Sequence, residues 1–134
     1  MRLTRRGDYA LRAVVYIASQ PEGRIVDLMD IASKQSIPRS FLAKILQQLV
    51  RAGILRSYMG TNGGFCLAKS AQNITFYDVV VAVEGPMNIN FCLGQDQSCT
   101  LEKGCLIHSF LESLQNTIKD KMQSKTLADM SARS

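Results

Sequence analysis

The sequence contains no long hydrophobic run. No apolar stretch of its 134 residues approaches the roughly 20 residues that a membrane-spanning helix needs, so we expect no membrane partner. The first residues, from Met1 to Arg6, lack the apolar segment of a secretory signal peptide. The chain also has no internal repeat and no low-complexity tract. We therefore expect a cytoplasmic protein that forms one domain, or a small domain with an appendage.

The sequence also offers little with which to build a catalytic site. It has a single histidine, His108, and no oxyanion motif, phosphate loop or carboxylate pair accompanies that residue. A reactive cysteine that uses His108 as its base is the enzyme alternative. That alternative would leave the basic first half of the chain without a role, so we expect the protein not to be an enzyme.

The charges are unevenly divided between the two halves of the chain. Residues 1–69 hold eleven Lys and Arg against four Asp and Glu, a net charge of +7. Residues 70–134 hold five against seven, a net charge of −2, which agrees with the total of +5. A basic first half predicts a polyanionic partner such as nucleic acid.

Three of the four cysteines lie close together. Cys92, Cys99 and Cys105 follow the spacing Cys-x6-Cys-x5-Cys, and His108 comes three residues later. A reducing cytoplasm disfavours structural disulfides, so clustered cysteines indicate metal binding or redox chemistry. Thiolate and imidazole suit zinc, copper or an iron–sulfur cluster. The alternative, buried thiols and a surface histidine, fits poorly with the surrounding Gly, Gln, Asp and Ser. The fourth cysteine, Cys66, is interpreted as structural.

The first half of the chain has the pattern of a helix-turn-helix. Apolar residues recur at helical spacing from about residue 5 to residue 19. A second helix is expected after Asp27, which is a good N-cap, and a third from Pro38 to Ala52, since a first helical turn tolerates proline. The buried stripe of the third helix would be Phe41, Leu42, Ile45, Leu46 and Leu49. Its outer face is polar and basic, as in a recognition helix.

A hairpin is expected directly after the third helix. Residues 54–58 and 65–68 are strand-like, and residues 59–64 between them are rich in glycine, which accepts the positive φ of a hairpin loop. Its position identifies it as a wing. The predicted fold class is therefore mainly α with a small β-wing: a winged helix-turn-helix domain over residues 1–85, with a long C-terminal dimerisation helix.

The rest of the chain divides into a loop and a long helix. Thr75 and Asp78 predict a capped helix that ends at Glu84. Residues 86–105 lack periodicity and form the proposed ligand loop, and residues 106–134 form the dimerisation helix and a tail. The apolar seam of this helix is Ile107, Leu111, Leu114, Ile118 and Met122. A symmetric second copy is the simplest partner for the seam, and the first helix of the same chain is the alternative.

These motifs resemble the Rrf-two family of bacterial winged-helix regulators, and specifically its IscR/NsrR-type iron–sulfur sensors. The resemblance covers nearly the whole chain. It rests on residues 3–12 (Leu-Thr-Arg-Arg-Gly-Asp-Tyr-Ala-Leu-Arg), on residues 37–42 and 45–49, and on the strand at residues 52–57. The wing motif Gly60-x2-Gly63-Gly64-Phe65-x-Leu67, the three cysteines and the final Thr126 to Asp129 complete it.

The resemblance implies a homodimeric regulator that senses redox state, nitric oxide or iron–sulfur status. Cys92, Cys99 and Cys105 match the three cysteine ligands. The fourth ligand of IscR-like members, which hold a 2Fe–2S cluster, matches His108, and we favour it. The alternative is Asp8 of the partner subunit on a 4Fe–4S cluster, as in NsrR-like members. The Cys-x6-Cys interval is one residue longer than the commoner spacing, and such an exposed, mixed-ligand cluster is expected to be lost in air.

The resemblance also implies a double-stranded DNA operator as the partner. Base contacts are expected from Arg39, Ser40, Lys44 and Gln47, because arginine pairs with guanine and glutamine with adenine. Phosphate contacts are expected from Arg5, Arg6, Arg56 and the wing residues Gly60, Thr61, Gly63 and Gly64. Met59 stands where many members carry an arginine, and Ala43 stands where IscR-like members often have an acid, so neither the minor-groove contact nor the operator preference transfers directly.

One alternative within the same class remains open. Cys92, Cys99, Cys105 and His108 could instead form a closed tetrahedral zinc site in a zinc-stabilised or cluster-free winged-helix repressor. The gaps between the cysteines are wider than the usual zinc-knuckle spacing. Metal analysis separates the two interpretations.

Overall fold

The computed structural model describes residues 3–90, Leu93 and residues 105–131. The helices are α1 (Arg5–Ala18), α2 (Leu28–Gln35), α3 (Arg39–Arg51), α4 (Phe76–Glu84), α5 (Leu106–Gln123) and α6 (Leu127–Ser131). Strands β1 (Leu55–Tyr58) and β2 (Gly64–Leu67) form one antiparallel hairpin, and a 3-10 turn spans Ala71–Asn73. The predicted fold class, mainly α with a two-stranded wing, is confirmed.

Helix α1 lies at the centre of the core. Its apolar residues recur at helical spacing, so Ala10, Ala13 and Val14 are fully buried on one side. Around α1 pack α2, α3, α4, α6 and strand β2. The largest fully buried side chains are Ile31, Leu42, Ile45, Leu46, Leu49, Leu55, Ile74 and Leu127. One core therefore joins the helix-turn-helix, the wing and the C-terminal tail.

The turn between α2 and α3 differs in detail from the prediction. Asp27 is the N-cap residue of α2, but its side chain makes no capping hydrogen bond. Ser36 ends α2 with φ of 53°, a left-handed conformation that is uncommon outside glycine. Pro38 precedes α3 as its N-cap residue, so the helix begins one residue later than predicted. Arg12 Nη1 donates to the Gln35 carbonyl at 2.9 Å and thereby ties the end of α2 to α1.

One core assignment on α3 was wrong. Phe41 was predicted in the buried stripe with four aliphatic residues, which are buried, but its side chain is 36% exposed. Its ring lies edge-on to Tyr9, with the ring centroids 5.5 Å apart. Phe41 therefore packs at the rim of the core, beside the N-terminal turns of α1, where an aromatic pair is stabilised by its edge-to-face geometry.

The N-terminus of α1 is joined to the C-terminus of α4 by a carboxylate. Glu84 Oε1 accepts from the Thr4 backbone N–H at 2.8 Å and also from the Thr4 hydroxyl. Thr4 is the N-cap of α1, and a negative charge at a helix N-terminus is favourable. A Cβ at Gly7 would lie 2.6 Å from Glu84 Oε1, so glycine allows this close approach.

Two capping boxes stabilise the N-termini of helices α4 and α6. The predicted box of Thr75 and Asp78 at the start of α4 is confirmed. Thr126 and Asp129 form the same reciprocal pair at α6, and the backbone hydrogen bond from Thr126 lowers the pKa of Asp129. Leu127 N–H donates to the Ile74 carbonyl at 2.8 Å, and its side chain is fully buried. The tail after α5 thus returns to the core. Across the part of the chain that the structure describes, no helix has the length and apolar character to cross a bilayer.

Replacing Leu46 with alanine should lower the free energy of unfolding by about 2–5 kcal/mol, because it removes a fully buried side chain from α3 and leaves a cavity. Urea unfolding at one fixed protein concentration measures the change. Met29→Ala is the matched control, since the Met29 side chain is 47% exposed and should change stability by no more than about 0.5 kcal/mol. Equal losses in both variants would contradict this description of the core.

Candidate nucleic-acid interface and metal-ligand region

Four polar side chains project from the outer face of α3. Arg39, Ser40, Lys44 and Gln47 are all exposed, as the sequence predicted. Ser40, Lys44 and Gln47 follow one another at intervals of four and three residues, and Arg39 adjoins Ser40, so all four lie toward one side of the helix. Ala43 is half-buried among them and lines both shallow grooves that run along this side. The small side chain at position 43 leaves the surface between the polar groups open.

A second basic element borders this surface. Arg6, at the start of α1, lines one groove together with Lys44, Gln48 and Arg51 of α3. Three cations therefore face a single groove, a geometry suited to a phosphate backbone. Sequence reasoning identified Arg6 and Lys44 but missed Gln48 and Arg51 as members of the site. The signal was the spacing of four residues from Lys44 to Gln48 and from Gln47 to Arg51, which continues the same helical side.

The two other arginines predicted to contact phosphate lie elsewhere. Arg5 lines a neighbouring groove with Phe41 and Glu84, so a carboxylate accompanies it. Arg56 lies on β1 opposite Cys66 and lines the depression between the hairpin and the end of α1, which also contains Arg24 and Lys69. Both side chains are exposed. Arg6 lines the neighbouring groove together with Arg5, but neither Arg5 nor Arg56 lines the groove that Arg6 shares with Lys44 and Arg51.

No carboxylate interrupts the central part of the chain. Between Asp30 and Asp78 the sequence holds six Lys and Arg and no Asp or Glu. This stretch includes the end of α2, all of α3 and the whole hairpin. In the structure, Glu22 lies in the depression that Arg56 and Lys69 line, whereas no carboxylate lines either groove along α3, so the cations of those grooves favour a polyanion.

Two glycines of the wing lie where the hairpin backbone leaves no room for a Cβ atom. Gly64 has φ of +153°, and a Cβ there would lie 2.4 Å from the Val26 carbonyl oxygen, where residue 26 bridges to β2. A Cβ at Gly63 would lie 2.2 Å from the Tyr58 carbonyl oxygen. Gly63 N–H also donates to the Gly60 carbonyl at 3.0 Å and closes the tip. Gly60 and Thr61, by contrast, are exposed at the tip.

The predicted metal ligands fall into two groups. Cys92 and Cys99 lie outside the described residues. Cys105 is the N-cap residue of α5, and its Sγ accepts from the His108 backbone N–H at 3.5 Å. Among the residues that the structure describes, no group of three or more His, Cys, Asp or Glu side chains forms a metal site. The structure thus places Cys105 and His108 together at the start of one helix.

The two imidazole nitrogens of His108 have different surroundings in the described part of the chain. Its Nδ1 is buried and has no hydrogen-bond partner among residues 3–90 and 105–131, while its Nε2 lies 3.5 Å from Glu112 Oε2. A histidine that binds a metal through one imidazole nitrogen commonly has a carboxylate as the hydrogen-bond partner of the other nitrogen. The described residues fit the ligand set of a metal or cluster.

Both sides of the ligand loop are attached to α5. Residue 105 begins that helix, and the Ile89 backbone N–H, three residues before Cys92, donates to Gln115 Oε1 at 2.8 Å. The backbone on either side of the loop is therefore anchored to the same helix.

The alternative ligand Asp8 has a partner within its own chain. Its Oδ2 lies 3.2 Å from Arg12 Nη2, one helical turn further along α1, and both side chains are partly exposed. The Arg12 guanidinium also lies 4.8 Å from the centroid of the Tyr9 ring. To reach a second subunit, Asp8 would first have to leave this ion pair.

The predicted seam of α5 divides into two parts. Met122 is buried in the core and Ile118 packs against it, so this end of the helix binds its own chain. The start of the helix exposes a cluster that we call the α5 patch: Leu106, Ile107, Phe110 and Leu114, with exposed fractions of 84, 70, 66 and 40%. Sequence reasoning missed Leu106 and Phe110, which widen the seam. Contiguous exposed apolar surface of this kind marks an interaction site.

Comparisons with known proteins agree with this geometry. A sequence model of the Rrf2 (Rrf-two) family, described as an iron-dependent transcriptional regulator, matches residues 3–133. The structure is similar to that of CymR (YrzC), the global cysteine regulator of B. subtilis, with a TM-score of 0.82 and 23% identity over 98% of this chain and 96% of that one. It is also similar to T. potens IscR, with a TM-score of 0.77 and 25% identity over 97% and 85% of the two chains. For the oxidized form of Staphylococcus aureus CymR the TM-score is 0.78 and the identity 21%, over 100% and 98%.

Proposed function

Because this chain belongs to the Rrf2 family of transcriptional regulators, we propose that it binds a double-stranded DNA operator as a homodimer, with an affinity set by a bound iron–sulfur cluster. One observation carries the proposal: the same small fold contains a basic surface along α3, whose grooves no carboxylate lines, and a helix that begins with Cys105 and His108. The basic surface supplies DNA binding. The ligand region supplies the regulation.

Base reading is assigned to the outer face of α3. Arg39 and Gln47 carry the side chains that pair bidentately with guanine and adenine, and Ser40 can donate or accept at either. Arg6, Lys44 and Arg51 share a groove and would hold phosphates, which position the protein without specifying sequence. The tip residues Gly60 and Thr61 would add backbone and hydroxyl contacts. Arg5 and Arg56 would contribute to the surrounding positive field.

The α5 patch supports the dimer. Its four apolar side chains lie on the first half of the helix, whereas the second half is already packed in its own chain. A second copy related by two-fold symmetry would present the same patch and bury both. Such a dimer carries two α3 helices and therefore matches an operator with two half-sites.

The ligand set supports the cluster. Cys105 and His108, together with Cys92 and Cys99, would hold it. The buried Nδ1 of His108, which has no hydrogen-bond partner among the described residues, is the observation that fits a fourth ligand. Asp8 of the partner subunit is disfavoured because Asp8 is paired with Arg12 in its own chain. When bound, a cluster with one nitrogen ligand supplies a centre whose stability responds to oxidation, nitric oxide and iron supply. By the resemblance to IscR-like members, a histidine as the fourth ligand favours 2Fe–2S over 4Fe–4S.

A continuous set of contacts connects the ligand residues to the DNA surface. Helix α5, which begins beside Cys105, packs on α4. The last residue of α4, Glu84, binds Thr4 at the start of α1, and Arg6 follows two residues later. A shift of α5 would thus move Arg6 relative to α3. Comparing DNA affinity with and without the cluster tests this coupling.

To test DNA binding, the wild-type protein first selects its preferred site from a pool of random DNA duplexes, and variants are then compared on that site. Arg39→Ala should relax the sequence preference at one position and weaken binding to the selected site by about 5–150-fold, the cost of about 1–3 kcal/mol for one lost base contact. Arg6→Ala should weaken binding to all sequences alike and lower the salt slope by about 1. Fluorescence anisotropy over a salt series measures both quantities.

Lys125→Ala is the control for charge removal, because residue 125 lies between α5 and α6 and lines none of the grooves along α3. It should bind like the wild type. The DNA proposal fails if selection enriches no sequence, or if Lys125→Ala and Arg39→Ala have equal effects.

A zinc site is the second candidate for the ligand region. The set of three cysteines and one histidine also satisfies tetrahedral zinc. In that case the DNA surface keeps its role, and the ligand region stabilises the fold. The content of iron and zinc distinguishes the two.

A further inference from the structure

The tip of the wing carries an apolar side chain that the fold does not use. Met59 is 95% exposed, more than any other large hydrophobic residue in the described part of the chain. It follows the last residue of β1, Tyr58, which is itself 45% exposed. Leu55 and Phe65 of the hairpin, by contrast, are buried in the core. Met59 therefore extends beyond the hairpin without stabilising it.

The surroundings of Met59 suit an approach to DNA. Its neighbours along the tip are Gly60, Thr61, Asn62 and Gly63, which add hydroxyl and amide groups but no negative charge. Two of these four residues are glycines, so the tip is narrow. The hydrogen bond from Gly63 to Gly60 holds the turn in shape, so the Met59 side chain is presented on a fixed backbone.

The inference rests on the proposed DNA-binding function and deepens it. We propose that Met59 acts as an apolar wedge, entering the minor groove beside the recognition site and partly unstacking one base step. Methionine is unbranched and adaptable, and apolar wedges of this type kink DNA where they insert. The wing then contributes to specificity by deforming the duplex.

A methionine and a cation at this position would select different DNA. A positively charged tip is attracted to the narrow minor groove of a stiff A-tract, whereas a wedge needs a step that unstacks easily. Pyrimidine–purine steps such as TA and CA are the most easily kinked. Met59 therefore predicts such a step at the position that the wing faces, and a bend at that position.

The experiment compares two duplexes of about 30 base pairs that share the bases read by α3. One carries a pyrimidine–purine step opposite the wing and the other carries an A-tract at that position. The wild type should prefer the flexible duplex on the order of tenfold, within the range for one altered base step. It should also bend that duplex, as measured by fluorescence resonance energy transfer between its ends, and unstack a 2-aminopurine placed at the step.

Three variants make the assignment specific. Met59→Ala should lose the preference, the bend and the 2-aminopurine signal, and Met59→Leu should retain all three because leucine is also a wedge residue. Met59→Arg should shift the preference toward the A-tract. Met29→Ala removes a methionine from α2 that is 47% exposed, and it should behave as the wild type. Because Met59 packs against nothing, these variants should keep their folded circular dichroism signal.

The outcomes separate this inference from the proposed function. Wild-type binding without a bend, or with the same preference in Met59→Ala, would overturn the wedge and leave DNA binding intact. Loss of the preference in Met59→Leu as well would also overturn it, because the effect would then not follow apolar insertion. Failure of the wild type to bind any selected duplex would overturn the proposed function, and the wedge with it.

Discussion

Replacing Ile107 and Phe110 together with glutamate should convert the protein from a dimer into a monomer and weaken operator binding by at least about 100-fold. Their side chains are 70 and 66% exposed and lie on the same side of α5. Burying such a side chain contributes about 1.5–3 kcal/mol, and a dimer would bury four of them. The glutamates would place like charges in the same apolar interface, and each monomer would hold a single half-site.

Analytical ultracentrifugation measures the state of association, and anisotropy with the selected operator measures the affinity. Asn116→Glu is the matched control, because residue 116 is exposed on α5 and lies half a turn away from Ile107 by the helical period. It adds a charge to the same helix and should leave the dimer and the DNA affinity unchanged. A double variant that remains dimeric would show that the α5 patch is not the dimer interface.

Replacing Cys105 with serine should remove the visible absorbance of the anaerobically purified protein and change operator affinity by about 5–150-fold, the usual range of coupling between two sites. Serine is the informative substitution because Cys105 is the N-cap of α5, and serine can keep that cap while removing the thiolate. The helix is thus preserved and the ligand is lost. Cys66→Ser, on the hairpin, should retain the absorbance.

The fourth ligand is identified by two further variants. His108→Ala should lose or alter the cluster, because the buried Nδ1 of His108 would no longer be available. Asp8→Asn should leave the cluster intact, since Asp8 is engaged by Arg12. The opposite pattern would assign the ligand to Asp8 of the partner subunit and would favour a 4Fe–4S cluster. Wild-type absorbance in Cys105→Ser would contradict the entire ligand assignment.

Local sequence patterns predicted most of the fold. The helical spacing of apolar residues located α1, α3 and α5, and the box of Thr75 and Asp78 located the start of α4, because both signals act within a few residues of the chain. The glycines of the wing likewise predicted the hairpin loop, since such a loop needs backbone conformations that other residues avoid. These features are determined by neighbours in sequence.

The errors arose where distant segments meet. The seam of α5 was continuous in sequence, yet its C-terminal half is buried by its own chain and only the first half is open. Similarly, the bond between Thr4 and Glu84 joins residues 80 positions apart, and no local pattern predicts it. Gln48 and Arg51 became part of the basic groove only because α1 places Arg6 beside them. Such contacts depend on how helices pack.

The ligand region was predicted from residue types alone. Cysteine and histidine spacing indicates a metal or a cluster but does not distinguish iron from zinc, since both accept these donors. The structure adds the helix start at Cys105, the pairing of Asp8 with Arg12, and an Nδ1 of His108 that has no hydrogen-bond partner within residues 3–90 and 105–131. Cys92 and Cys99 remain assigned by the sequence.

Measuring iron, sulfide and zinc per chain, together with the ultraviolet–visible spectrum, in protein purified without oxygen tests the central claim most directly. We predict a brown protein with about two irons and two sulfides per chain, the content of a 2Fe–2S cluster. About four irons per chain would point to Asp8 as the fourth ligand. A colourless protein with about one zinc per chain would contradict the cluster and make Cys92, Cys99, Cys105 and His108 a structural site in a DNA-binding regulator.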